Sequence, residues 1–130
     1  MITKIPVPNH SKKNESLRNL AKEAANPPPK DATPLSDTDI QAHLEVLENW
    51  NLSTESDRTW LLKTFKFRSY LAALDFTNSV AKLAEDAGHH PRIILEWGKV
   101  TVAWHTFDIG GLHKTDFILA AGAQLIYSET

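Results

Sequence analysis

The chain has 130 residues, with 14 Lys and Arg against 16 Asp and Glu and a formal net charge of −2 with neutral histidines, a length suited to one domain around a single core. It contains no cysteine, which excludes disulfides, thiolate nucleophiles and cysteine-ligated zinc or iron–sulfur centres. No apolar run reaches a membrane span, no dense basic patch interleaved with aromatics marks a nucleic-acid surface, and the N-terminus lacks the apolar core of a secretory signal. The expectation is therefore a cytoplasmic protein with neither nucleic acid nor membrane as partner.

Six of the seven prolines precede residue 35, and all five glycines follow residue 87. That contrast divides the chain into a proline-rich extension, residues 1–34, read as largely flexible, and a domain, residues 35–130. Within the extension, Leu17, Leu20, Ala21 and Ala24 have helical spacing, so one short amphipathic helix is expected before the run Pro27, Pro28, Pro29 stops it.

The domain opens with Ser36 and Asp39 spaced as a capping box, followed by the apolar stripe Ile40, Leu44, Leu47, which predicts a first helix ending near Asn49. "NWNLST" and "TWLLKTFKFRS" read as two strands joined at "ESDR". Ala73, Phe76, Val80, Leu83, Ala84 and Ala87 recur at three- and four-residue intervals, and Gly88 is placed to cap that helix. "RIILEW" and "KVTVAWHTF" read as strands turning at Gly98, and "GLHKTDFILAAGAQLIY" as a closing helix. The order helix, strand, strand, helix, strand, strand, helix implies an α+β fold: a four-stranded antiparallel sheet with three helices packed on one face.

The stretch from Gly88 to Leu112, "GHHPRIILEWGKVTVAWHTFDIGGL", places His89, His90 and His105 around the second hairpin. Glu85 lies four residues before His89, so the two can share a helix face and the carboxylate can orient that imidazole. Pro91 biases His90 toward an extended backbone, so His89 and His90 should point in different directions. Histidines suit proton transfer near neutral pH. A metal site built from Glu85, His89, His90 and His105 is the alternative, but no familiar ligand spacing is present and no metal is expected.

Glu85-x-x-x-His89-His90-Pro91, then Trp97, "GGL" and Asp116, together with Asn49-Trp50 and Phe65 to Phe67 upstream, resembles the signature of the pterin-4a-carbinolamine dehydratase family over roughly residues 35 to 127. The resemblance implies the same sheet and three helices, assembly as a homodimer or homotetramer, and dehydration of 4a-hydroxytetrahydropterin to quinonoid dihydropterin, the pterin being substrate and not cofactor. It places Glu85, His89 and His90 at catalytic positions, and Trp97, Phe107, Asp116 and His105 at or near substrate-binding ones.

One position departs from that pattern. Ten residues after Trp97 the family carries His or Trp, and this chain carries Phe107, which cannot transfer a proton. On a continuous strand Thr101, Ala103, His105 and Phe107 share a face opposite Val100, Val102 and Trp104, so His105 points the same way as Phe107 but lies two residues, about 6.6 Å, away along the strand. That offset argues against direct replacement unless the substrate shifts or the strand carries a bulge, since proton transfer needs approach to within about 3 Å. The expectation is a degenerate active site on a weakly active or inactive scaffold. Some members of the family serve as dimerisation cofactors of a homeodomain transcription factor, and diverged relatives assist Rubisco assembly, so a protein client such as Rubisco is the expected partner. The alternative is an active dehydratase that uses His89 and His90, with a pterin as ligand. His113, where a Ser or Thr cap would be usual, is read as a surface or rim residue.

Overall fold

The computed structural model describes residues 8–130. Its elements are α1 (Pro8–Ala21), α2 (Asp37–Val46), β1 (Asn51–Glu55), β2 (Arg58–Lys66), α3 (Tyr70–Ala87), β3 (Arg92–Glu96), β4 (Lys99–Trp104), a single 3-10 turn (Phe107–Ile109) and α4 (Lys114–Ser128). The sheet is antiparallel in the order β1-β2-β4-β3, so α3 carries the chain over β4 from β2 to the far edge. The α+β architecture is the one expected, with a fourth helix, α1, supplied by the N-terminal extension.

Local chemistry sets the boundaries. Ser36 accepts the Asp39 N–H and Ser69 accepts the Ala72 N–H, which start α2 and α3. Ser56 and Asp57 both take positive φ, 52° and 61°, the geometry of a tight two-residue hairpin turn. Gly98, at φ 75°, makes the corresponding turn after Trp97.

Strand alternation sends Leu61, Phe65, Val100, Val102 and Trp104 toward the helices, where all are buried with Ala73, Phe76, Val80 and Ala84 of α3 and Phe117, Ala120 and Ala121 of α4. Trp50 and Phe65 meet edge to face at 5.8 Å, and Phe65, Phe67, Phe76 and Tyr127 form one aromatic cluster. The "NW" and "FKF" motifs thus serve the core.

Residues 1–34, with their prolines, were expected to form a largely flexible extension. In the structure α1 packs against α4 and α2, Leu17 and Leu20 are buried in the main core, and the segment after it is fastened at several points. Glu23 pairs with Lys114 at 2.6 Å, the Asn26 carbonyl accepts the Thr115 hydroxyl at 3.1 Å, and the Leu35 N–H donates to the Leu112 carbonyl at 2.9 Å. The reason is the apolar side of α4, which the sheet alone does not cover. Residues 1–7 lie outside the described residues.

Candidate active site

The left-handed cap at Gly88, φ 66°, ends α3 and redirects the chain, so His89 and His90 find different partners. The His89 Nε2–H donates to Asp116 Oδ1 at 2.6 Å, and its ring stacks on buried Trp104 at 6.1 Å and 21°. His90 Nε2 meets Glu85 Oε1 at 2.7 Å, with both side chains largely exposed. Glu85 was expected to orient His89. It orients His90 instead, because the positive-φ cap breaks the helical register that would have set Glu85 beside His89.

Asp116 is 0 % exposed and sits in the first turn of α4. Its Oδ2 accepts the Thr106 hydroxyl at 2.6 Å and the His113 backbone N–H at 2.9 Å. With His89 on Oδ1, three donors satisfy both oxygens of this carboxylate, as a buried charge requires. Asp116, expected to bind substrate, is not among the residues lining the cavity beside it and is hydrogen-bonded to His89. His113, read as a surface or rim residue, is the N-cap of α4: its Nδ1 accepts the Thr115 N–H at 3.1 Å, doing the work of a Ser or Thr.

β4 was expected to run through Phe107. It ends at Trp104, and a bridge between Thr106 and Gly111 closes a small loop containing the 3-10 turn. His105 is 1 % exposed. Its Nδ1–H donates to the Thr59 carbonyl at 2.8 Å, which places the lone pair of the neutral ring on Nε2. That Nε2 is buried and has no hydrogen-bond partner among the described residues. Trp60 lies against one side of the ring at 5.1 Å, and Phe107 presents an edge to it at 4.8 Å and 85°. Phe107 is 54 % exposed, beneath the Arg58 guanidinium at 4.6 Å.

These residues surround one cavity of about 310 Å³, lined by His89, His90, His105, Thr106, Phe107 and Asp108, with Pro27, Pro28 and Gly88 completing the wall. That volume is at the lower end of small-molecule sites. The structure thus brings together His89, His90, His105 and Phe107. Trp97, expected to bind substrate, is not among them: it is 74 % exposed in the β3–β4 turn, at the opposite end of β4 from His105. Sequence reasoning missed the Thr59 carbonyl, Trp60, Thr106 and the two prolines, and only the rigid "NPPPK" run gave a signal that could have found any of them. A second hollow, of about 610 Å³, is lined by Lys66, Phe67, Arg68, Ala72, Tyr127 and Thr130 and has no histidine, aspartate or glutamate side chain in its wall. Among the described residues no group of three His, Asp or Glu side chains is arranged to hold a metal, and no helix is long and apolar enough to cross a membrane.

Residues 33–126 match the model of the family described as Pterin 4 alpha carbinolamine dehydratase. A protein of Marinobacter nauticus named "Putative pterin-4-alpha-carbinolamine dehydratase" is 42% identical over 111 residues, covering 85% of this chain and 100% of its own length. That span is longer than the stretch from residue 33 onward, so the likeness reaches back into the N-terminal segment. Proteins of the same name from Vibrio vulnificus and Chlorobaculum tepidum are 48% and 46% identical, covering 74% and 72% of this chain and 87% and 84% of their own. The crystal structure of a transcriptional coactivator/pterin dehydratase from Brucella melitensis superposes with a TM-score of 0.66 over 72% of this chain and 98% of that one, at 24% identity, which establishes the shared fold. On the family match and the full-length likeness, the chain belongs to the pterin-4α-carbinolamine dehydratase family.

Proposed function

We propose that the protein dehydrates 4a-hydroxytetrahydropterins, in the cavity between the end of α3 and the end of β4. The observation that carries this reading is the convergence of His89, His90 and His105 on one cavity. Loss of water from C4a requires a proton delivered to the departing hydroxyl and another taken from N5, and imidazoles do both near neutral pH without a metal. His89 is held through Nε2 by the buried Asp116, so Nδ1 is the nitrogen left for proton transfer. Phe107 supplies an apolar wall suited to a flat heterocycle.

The expectation of a retired site rested on Phe107 and on the two-residue offset of His105, and His105 lines the same cavity. Assembly of Rubisco or another client rests on resemblance, with no residue of this cavity favouring it. A homodimer or homotetramer remains part of the proposal: the sheet face away from the helices presents exposed Ile94 beside Thr64 and Thr101, and sedimentation on dilution tests it.

The deciding experiment is turnover of 4a-hydroxytetrahydropterin generated in situ, for wild type and His89→Ala. We expect wild-type turnover above the spontaneous rate and a loss on the order of a hundred- to ten-thousand-fold in the variant. A wild type no faster than the spontaneous reaction overturns the reading and directs the search to protein clients.

A further inference from the structure

We propose that His105 is the general base of this cavity, taking the N5 proton from chain position 105 where Phe107 has none to exchange. The inference rests on the dehydratase reading above. Four features of the structure support it. The Thr59 carbonyl can only accept, so it fixes the proton of neutral His105 on Nδ1 and leaves the lone pair on Nε2. That Nε2 is buried without a partner among the described residues, a costly arrangement unless something other than the fold uses it. The ring lines the cavity with His89 and His90. Trp60 and the edge of Phe107 hold the ring in one orientation.

The two-residue offset that argued against His105 assumed a strand continuing through Phe107. The strand stops at Trp104, and the turn from Phe107 to Ile109 lifts the phenyl ring to the rim while His105 stays within the wall. Phe107 then covers the imidazole, and because Nε2 is buried in this structure, the exposed phenyl ring has to swing aside for N5 to reach that nitrogen.

In the proposed step His105 Nε2 takes the proton from N5. The N–H electron pair becomes the N5=C4a bond, the C4a–O bond breaks with its pair, and the hydroxyl leaves as water with a proton supplied by a second histidine of the cavity. No electrons are gained or lost overall. The resulting imidazolium keeps its Nδ1–H on the Thr59 carbonyl and later returns the N5 proton to solvent.

The test is His105→Asn, in which the side-chain amide keeps a donor toward the Thr59 carbonyl while the second nitrogen is lost. With wild type active, we expect kcat to fall on the order of a hundredfold or more with KM little changed and a melting transition that stays cooperative, though lowered by the smaller side chain. An unchanged kcat overturns the role of His105 and leaves the dehydratase reading standing, whereas an inactive wild type overturns both. Should the variant not fold, 15N NMR of the wild type decides: the His105 Nε2 resonance shifts on addition of a 7,8-dihydropterin, and a resonance that stays put while the ligand binds overturns the assignment.

Discussion

His89 and Asp116 are 27 residues apart in sequence and 2.6 Å apart in space, Nε2 to Oδ1. The contact joins the end of α3 to the first turn of α4, and through Oδ2 it reaches the Thr106 hydroxyl and the His113 N–H. One buried carboxylate therefore ties together the helix cap, the loop after β4 and a histidine of the cavity.

Asp116→Asn should separate these duties. An amide cannot accept from all three donors, so its NH2 must face either His89 or the Thr106–His113 pair. Turned toward His89, it forces the opposite tautomer and takes the lone pair from Nδ1. A fall in kcat on the order of a hundredfold or more is expected, with a stability loss of about 1–3 kcal/mol for the mispaired donor. Steady-state kinetics and urea unfolding check the two effects, and an undiminished kcat would exclude Asp116 as the group that positions His89.

His113 caps α4 with an imidazole nitrogen. Replacing it by alanine removes the acceptor for the Thr115 N–H and should cost about 0.5–2 kcal/mol, the range for lost N-caps. His113→Ser should recover most of that, because a hydroxyl fills the same role. A melting temperature that falls equally in both variants would show that the ring contributes by packing and not by capping.

What the sequence disclosed follows from the range of the interactions involved. Ser36, Ser69, Gly88 and Gly98 act within one turn of chain, and the strands and helices they bound lie close to where periodicity puts them. The pairing of Glu85 was misjudged because an i,i+4 argument holds only while the helix continues, and Gly88 ends it between the two residues. The end of the strand was misplaced because alternation was carried past Trp104 to Phe107, although "DIGG" just beyond it is turn chemistry. The proline wall and the Thr59 carbonyl depend on contacts across 46 or more residues, such as His105 to Thr59, and leave no local trace.

The acid side of stability should report His43. Burial, followed by the nearby Lys114, lowers its pKa below the ordinary 6.5, with Asp39 and Glu23 opposing. Between the lowered value and 6.5 the unfolded chain then binds more protons than the folded one, so stability rises with pH through that window and the gain is complete above it. Melting temperatures across this range should climb more steeply in wild type than in His43→Gln. Parallel curves would mean that His43 titrates alike in both states.

Gly88 is constrained twice. Its φ of 66° disfavours a side chain, and an added Cβ would lie 2.9 Å from Pro27 Cγ. Gly88→Ala should therefore lose about 1 kcal/mol or more, and it should also push Pro27 off the cavity wall. If the substitution lowers stability and raises KM while Pro27→Ala in the same background restores part of both, the contact between extension and cap is confirmed; no recovery would assign the whole effect to backbone strain.

Leu17 and Leu20 are buried with α4, and the chain beyond them is fastened by Glu23 to Lys114 and by Asn26 to Thr115. A flexible arm would exchange its amides freely and tolerate Leu20→Ala. A packed one should instead protect the amides of Leu20 and Ala21 in hydrogen exchange and lose about 2–5 kcal/mol on that substitution, the range for truncating a core leucine. Because Pro27 and Pro28 form part of the cavity wall, loosening α1 should also raise KM for the pterin. Rapid exchange through residue 21 together with unchanged stability in Leu20→Ala would detach the extension from both the core and the site.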